Sequence, residues 1–259
     1  MIQIRTAEEI ELIRKSNLVV SETLGELAKW IKPGMTTGKL DQIAEQFIRD
    51  AGGVPGFLGY QGFPGTLCTS VNSQVVHGIP SGYILKDGDI ISIDCGVLMN
   101  GFYGDSAYTF EVGEVAAEKR SLLITTKESL FRGIEMAVAG NRVGDIGYAV
   151  QSYCEERGYS VVRELVGHGL GKNLHEAPEV PNYGRRGKGI KLKAGMVICI
   201  EPMINQGRKE IVQEADGWTI RTADKKTSAH YELALVVQKE KPDILSTFKY
   251  IEEYLNKTK

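Results

Sequence analysis

The side chains of this sequence that suit catalysis are carboxylates and histidines at strand ends and in glycine-rich turns. Asp94 ends one apolar run and Glu201 ends another, at matching positions of two similar segments. The Asn-Gly pair at 100–101 predicts a tight hairpin, which places Asp105 diagonally across from Asp94 on one face of a sheet. A single strand carboxylate usually faces water, but matching positions in two segments favour convergence of Asp94 and Glu201 on one cleft.

The four histidines are His77, His168, His175 and His230. The first three lie among glycines or prolines, in His77-Gly-Ile-Pro80, Gly167-His-Gly-Leu-Gly171 and His175-Glu-Ala-Pro178, and we interpret the glycine flanks as room for a ligand to approach the backbone. The sequence contains no His-Glu-x-x-His motif, which excludes the helix-borne zinc site of the zincins. We therefore expect functional roles for His77, His168 and His175.

Charge balance indicates the kind of site that these residues would form. Carboxylates that share a cleft raise one another's pKa unless cations compensate their charge. The four negative charges of four carboxylates would balance the positive charge of two divalent ions, and one neutral imidazole would add a nitrogen ligand. Such oxygen-rich ligation suits manganese, iron or cobalt. Two such ions can hold a hydroxide nucleophile near neutral pH, so hydrolysis is the predicted class of reaction.

Two similar halves of the chain are expected to position these residues. Segment 85–94 aligns with segment 192–201, and segment 34–52 aligns with segment 140–158, at offsets of 107 and 106 residues. A Lys-x-Gly turn before a strand is common and would explain one of these matches alone. Two matches at nearly one offset favour an internal duplication.

Each half is predicted to contain two amphipathic helices followed by strands, and the first helix begins with the capping box Thr6-Ala-Glu-Glu9. The further predicted helices cover 40–50, 118–139 and 146–156, and the main predicted strands cover 90–99, 102–112, 196–201 and 228–237.

These elements predict an α+β fold with two pseudo-symmetric halves, roughly residues 6–112 and 113–240, around a central antiparallel sheet. We treat residues 1–259 as a single catalytic domain because no linker rich in proline or serine divides them. A short C-terminal helix is predicted at about 246–257.

The composition excludes several classes of protein. The chain has 259 residues, 42% of them hydrophobic, and a net charge of −2, which excludes disorder and a global basic field for nucleic acid. No apolar run is long enough to cross a bilayer, and the first residues lack a secretory signature. The four scattered cysteines suit reduced thiols. We expect a cytoplasmic protein with no membrane partner and no specific DNA partner.

Six short strings share the pattern of a known family. They are Val76-His-Gly-Ile-Pro80, Ile93-Asp-Cys-Gly96, Gly104-Asp-Ser106, Gly167-His-Gly-Leu-Gly171, Ile200-Glu-Pro-Met203 and Ser228-Ala-His-Tyr-Glu232. With these strings the chain resembles the pita-bread metallopeptidases and, more closely, the type I methionine aminopeptidases. The resemblance implies a pita-bread fold and removal of the N-terminal (initiator) methionine from nascent proteins and peptides with a small second residue.

The resemblance also implies a metal-binding role for five residues. Asp94 would chelate one ion, and Asp105 and Glu232 would bridge two ions. His168 and Glu201 would complete the second site. The ions would be cobalt, manganese, iron(II) or zinc, and a hydroxide held between them would attack the scissile carbonyl.

The remaining roles implied by the resemblance concern the substrate. Glu201 would also relay a proton, His175 would stabilise the oxyanion, and His77 would contact the amide next to the scissile bond. The methionine pocket would be formed by Tyr60, Phe63, Cys68 and Trp218, with Leu174 beside them. Each of these pocket residues is equally typical of an ordinary core.

Two further assignments rest on weaker signals. Strand periodicity puts His230 on the same face as Glu232. A role behind the metal ligands is one interpretation, but we expect His230 to be a polar surface residue. The run Arg185–Lys193 carries five positive charges in nine residues. Such a run is typical of a solvated loop, and docking on ribosomal RNA is the alternative.

Two other functions stay open beside methionine removal. Xaa-Pro aminopeptidases and prolidases share the five ligands, although they usually carry an additional N-terminal domain. A non-catalytic pita-bread protein that binds protein partners is the second alternative. Loss of ligands would mark such a binding protein, and all five are present here.

Overall fold

The computed structural model describes residues 2–257, and residues 1, 258 and 259 of the predicted domain lie outside this range. Within it, none of the helices is long and apolar enough to cross a membrane. The helices are α1 (Ala7–Ala28), α2 (Thr37–Asp50), α3 (Ala117–Glu135), α4 (Val143–Glu155) and α5 (Lys249–Lys257), with one 3₁₀ turn at Tyr60–Gly62.

The strands are short except for one central hairpin. In chain order they are β1 (Val54–Pro55), β2 (Leu67–Val71), β3 (Gln74–Val76), β4 (Ile90–Met99), β5 (Phe102–Glu111), β6 (Ser160–Val161), β7 (Gly167–Gly169), β8 (Glu176–Val180), β9 (Val197–Ile200), β10 (Met203–Asn205), β11 (Ile211–Gln213), β12 (Ile220–Thr222), β13 (Ser228–His230), β14 (Glu232–Val236) and β15 (Asp243–Ile244).

Nine of these strands form the largest sheet among residues 2–257. Its order is β1-β4-β5-β14-β9-β7-β8, with β2 also paired to β4 and β15 to β14, and these pairings are antiparallel. Strand β5 comes from the first predicted half and β14 from the second, so the halves share one sheet. The predicted α+β architecture around a central antiparallel sheet is confirmed, and the duplication itself stays a prediction.

The predicted hairpin forms at the predicted turn. Asn100 and Gly101 have φ angles of 54° and 76°, the left-handed conformation that a tight two-residue hairpin loop requires at both positions. The turn fixes the register of β4 against β5 and pairs Gly96 with Asp105. Asp105 is therefore the diagonal neighbour of Asp94, as predicted.

Helix α1 packs against β4 and β5 and helps to hold this hairpin in place. Its capping box is present, with Thr6 and Glu9 each binding the other's backbone N–H. A Cβ atom on Gly104 would lie 2.5 Å from the backbone of Ser16 and Asn17, so only glycine lets α1 lie this close to β5.

Three predicted element bounds were wrong. The predicted strand 228–237 is broken at Tyr231, because β13 pairs with β10 in a small sheet while β14 joins the large one. The helix predicted at 118–139 ends at Glu135. The C-terminal helix starts only at Lys249, because Leu245 and Ser246 are still bound to Ala234 of β14: the Leu245 N–H donates to the Ala234 carbonyl, and the Ser246 hydroxyl accepts from the Ala234 N–H.

Candidate active site

A cavity of about 220 Å³ lies over the middle of the large sheet. The structure brings together at this cavity every residue that the sequence assigned to metal or substrate binding. Its predicted lining residues are Tyr60, Phe63, Cys68, His77, Asp94, Asp105, His168, Leu174, His175, Glu201, Trp218 and Glu232.

The register of four strands places three of the site residues in one row. Ala107 on β5 pairs with Asp94 on β4 and, on its other side, with Glu232 on β14. Cys68 on β2 extends the row, since it pairs with Asp94. Residues directly opposite one another share a face of the sheet, and Asp105 lies two residues along β5 on that same face. The small Ala107 side chain leaves the space between these carboxylates free.

The second half contributes His168 and Glu201 from neighbouring strands. His168 lies in β7, and Glu201 directly follows β9. The Nε2 atom of His168 is 3.6 Å from Oε1 of Glu201 and 3.7 Å from Oδ2 of Asp105. Donor atoms of Asp105, His168, Cys199 and Glu232 lie within 4.8 Å of one another, which is compact enough for metal binding.

The glycines that flank the histidines have a different role from the one we predicted. A Cβ atom on Gly167 would lie 2.3 Å from the Cys199 carbonyl oxygen, and one on Gly169 would lie 2.4 Å from that of Ala177. A Cβ atom on Gly78, next to His77, would likewise meet a backbone carbonyl. Neighbouring backbone fills the space where side chains at these three glycines would lie, so the interpretation of the glycines as room for a ligand was wrong.

Burial makes the carboxylates difficult to ionise together. It raises the pKa of Asp94 to about 6 and raises the pKa values of Asp105, Glu201 and Glu232 well above their usual range. Repulsion from neighbouring carboxylates adds to this effect for the last three residues. Among residues 2–257, Oδ1 of Asp94, Oδ1 of Asp105 and Oε1 of Glu232 are buried without a hydrogen-bond partner.

His168 complements these anionic groups as a neutral ligand. Burial lowers its pKa to about 3, so the imidazole is uncharged. Its Nδ1 lies 3.0 Å from the Gly169 carbonyl oxygen, which can only accept a hydrogen bond. Nδ1 therefore carries the proton, and Nε2 presents its lone pair to the carboxylates. Unpartnered carboxylate oxygens beside such a nitrogen fit divalent cations.

His77 and His175 line the same cavity beside aromatic rings. The His175 Nδ1 atom is 2.9 Å from the Tyr60 hydroxyl, and the His77 ring centroid lies 6.5 Å from that of Trp218. Burial lowers the pKa of His77 to about 4 and also lowers that of His175, so both rings are neutral at pH 7. Phe63 packs edge-on against Trp218 at 5.1 Å.

The structure corrects one prediction and adds one residue. His230 is not a surface residue, because only 1% of its side chain is exposed. Its chain segment is enclosed by β10 and β5, and Nε2 faces Glu201. Cys199 was missed because it lies in the apolar run of β9, although alternation along the strand puts it on the same face as Glu201.

Comparison with known proteins agrees with this geometry. Residues 11–239 match metallopeptidase family M24. The chain is 51% identical to a methionine aminopeptidase of Clostridium perfringens, over 96% of this chain and 100% of that protein. Methionine aminopeptidase 1 of Bacillus subtilis is 48% identical over 95% of this chain and 99% of its own length.

Solved structures show the same fold. The crystal structure of a methionine aminopeptidase from Rickettsia prowazekii superposes with a TM-score of 0.94 at 41% identity, covering 95% of this chain and 100% of that one. An X-Pro aminopeptidase from Thermotoga maritima shares the fold at 21% identity and a TM-score of 0.73, over 94% of this chain and 62% of that one. The pita-bread fold implied by the motifs is confirmed, and the chain belongs to metallopeptidase family M24, among its methionine aminopeptidases.

Proposed function

We propose that this chain removes the N-terminal methionine from peptides and nascent proteins whose second residue is small. One observation carries the proposal: buried carboxylates with unpartnered oxygens lie at the bottom of a cavity whose other walls are aromatic and apolar. Such a cavity joins a site for cations to a pocket for one apolar side chain. The names of the relatives agree with this substrate.

Asp94, Asp105, His168, Glu201 and Glu232 would hold two divalent ions, of cobalt, manganese, iron(II) or zinc. When bound, the ions would supply a hydroxide nucleophile at neutral pH and polarise the scissile carbonyl. Binding would also supply the positive charge that the buried carboxylates lack.

The histidines would act on the substrate as neutral donors. If the Tyr60 hydroxyl donates to Nδ1 of His175, then Nε2 of His175 carries the proton and can donate to the scissile carbonyl oxygen. That donor would stabilise the negative charge that develops on the oxygen. His77 would contact the amide next to the scissile bond, and Glu201 would accept and return a proton.

The pocket for methionine would be formed by Tyr60, Phe63, Cys68 and Trp218, with the buried Leu174 beside them. Aromatic rings and a thiol are soft, polarisable neighbours that suit an unbranched thioether. Burial raises the pKa of the Cys68 thiol well above its ordinary value, so it offers an uncharged surface.

The decisive experiment compares Met-Ala-Ser with Xaa-Pro-Ala peptides after reconstitution with a divalent metal. We expect release of methionine from Met-Ala-Ser and little cleavage of the Xaa-Pro peptides. Preferred cleavage of Xaa-Pro would instead indicate a prolidase-type peptidase. Absence of both metal binding and peptidase activity would indicate a binding protein.

A nascent-chain substrate would place the protein in the cytoplasm. One surface loop has a composition that suits contact with the ribosome. All five basic residues of Arg185–Lys193 are exposed. Exposed Arg and Lys clusters bind phosphate backbones in a salt-dependent way. Replacing Arg185, Arg186 and Lys188 with glutamate should abolish salt-sensitive co-sedimentation with ribosomes, and unchanged co-sedimentation would contradict this contact.

We also retain the proposal that residues 1–259 form one catalytic domain. The shared sheet supports it, because β5 and β14 lie side by side at the centre of the site.

A further inference from the structure

We propose that His230 positions Glu201: when a divalent ion binds, the Nε2–H of His230, now 3.6 Å from Oε2 of Glu201, closes to hydrogen-bonding distance and holds that carboxylate in the orientation that binds the ion. The inference rests on the proposed metal site, and it assigns a role to a buried histidine outside the five predicted ligands.

The backbone of His230 is held from both sides, which fixes the direction of its Cα–Cβ bond. The His230 N–H donates to the Thr109 hydroxyl at 3.0 Å, and that hydroxyl donates to the His230 carbonyl at 2.7 Å. On its other side, His230 pairs with Met203 of β10, which also lines the cavity. His230 is therefore held between two strands, and its buried ring presents Nε2 to Glu201.

The polar tip of this ring lacks a partner of its own. Nε2 of His230 is buried, and no hydrogen-bond partner is found for it among residues 2–257. A buried unpartnered N–H is costly, roughly 1–3 kcal/mol, so such atoms in a native site usually have a functional partner. The nearest carboxylate oxygen described is Oε2 of Glu201, at 3.6 Å.

Glu201 lies between two imidazoles. Oε1 of Glu201 faces Nε2 of His168 at 3.6 Å, and Oε2 faces Nε2 of His230 at the same distance. His168 donates from Nδ1 to the Gly169 carbonyl, so its Nε2 has no proton to give. Of the two rings, only that of His230 has an Nε2 that can donate to Glu201.

A donor on the second oxygen of a ligating carboxylate fixes its rotation. Hydrogen-bonded partners behind metal ligands typically contribute about 10- to 100-fold to metal affinity or activity. We expect the His230 contribution to fall in this range.

Two amide variants test the proposal. In H230Q the side-chain NH₂ can reach the position of the imidazole Nε2, whereas in H230N the shorter amide cannot. Titration calorimetry with Mn²⁺, without substrate, should show affinity within about threefold of the original for H230Q and at least about tenfold weaker for H230N. Equal affinities of the two variants, whether high or low, would overturn the proposal. If H230N fails to fold, H230S provides the short polar side chain instead.

A second measurement separates positioning from direct ligation. The visible absorption spectrum of the Co²⁺-saturated protein reports the atoms bound to the ion. We expect the same spectrum for the original protein and both variants at saturation, because His230 contacts Glu201 and not the ion. A changed spectrum would make His230 a ligand and overturn the positioning role. Neither measurement uses a peptide, so their outcome is independent of whether the protein removes methionine.

Discussion

The stability of the metal-free protein should fall as the pH rises above neutrality. Asp105, Glu201 and Glu232 have pKa values well above their usual range in the folded protein. A group with a raised folded pKa keeps a proton that the unfolded chain has lost. Its stabilising effect is complete below the unfolded pKa and is lost as the pH rises towards the folded pKa.

The histidines act in the opposite direction but over a lower range of pH. His77 and His168 have folded pKa values of about 4 and about 3, so acid protonates the unfolded chain preferentially and destabilises the fold. This effect is half its full strength at about pH 6.5, the pKa of an unfolded histidine, and fades about one pH unit higher. The buried cysteines also lower the stability as the pH rises towards the ordinary thiol pKa of about 8.5. Between about pH 7 and 8 the effects of the four histidines and the four buried cysteines nearly cancel, so the three carboxylates dominate.

The size of the effect follows from proton linkage. Each proton that the folded cluster retains increases the unfolding equilibrium constant about tenfold per pH unit. One retained proton predicts a change of about tenfold between about pH 7 and 8. The assay is urea unfolding of chelator-treated protein at constant ionic strength, followed by tryptophan fluorescence. The Mn²⁺-saturated protein is the control, and it should not lose stability over this range, because binding favours ionised carboxylates. Constant or rising stability of the metal-free protein would refute the reasoning.

Three substitutions provide further tests. His175→Ala should lower kcat about 100- to 1,000-fold in a Met-Ala-Ser assay with unchanged metal affinity, and a fall in affinity instead would contradict the oxyanion role. Asp105→Asn should weaken Mn²⁺ binding in calorimetry. The same substitution should raise the urea midpoint of the metal-free protein, because it removes a buried acid, and a lower midpoint would argue against repulsion in the cluster. Gly167→Ala should destabilise by about 1–3 kcal/mol, since its Cβ would lie 2.3 Å from the Cys199 carbonyl oxygen, whereas Gly82→Ala, with nothing within 4 Å, should cost less than about 0.5 kcal/mol.

The central hairpin was predictable because its determinants are local. The Asn-Gly turn fixes the register of β4 and β5, and alternation along each strand then fixes the side on which Asp94 and Asp105 lie. The assembly of residues from distant strands is not local, and for Glu232 and His168 the prediction depended on the family resemblance.

Three features of the site could not be predicted, each for a physical reason. The sequence predicted a surface position for His230. The change of sheet at Tyr231 encloses this residue, and that change leaves no local signal in the sequence. Cys199 sits in an apolar run, where a thiol is indistinguishable from core packing. The glycines beside His168 indicate only that another group approaches the backbone closely at these positions. Tertiary contacts determine whether that group is a ligand or the backbone of a neighbouring strand.

The position of the carboxylates connects metal binding to the stability of the fold. Asp94 and Asp105 come from the first half of the chain, and Glu201 and Glu232 come from the second half. The halves meet where β5 pairs with β14, through Glu232 with Ala107 and Leu233 with Ser106. Without cations, the buried acids must either retain protons or repel one another across this short seam. Bound ions would reverse the sign of that interaction, so metal affinity and the stability of the seam should rise and fall together.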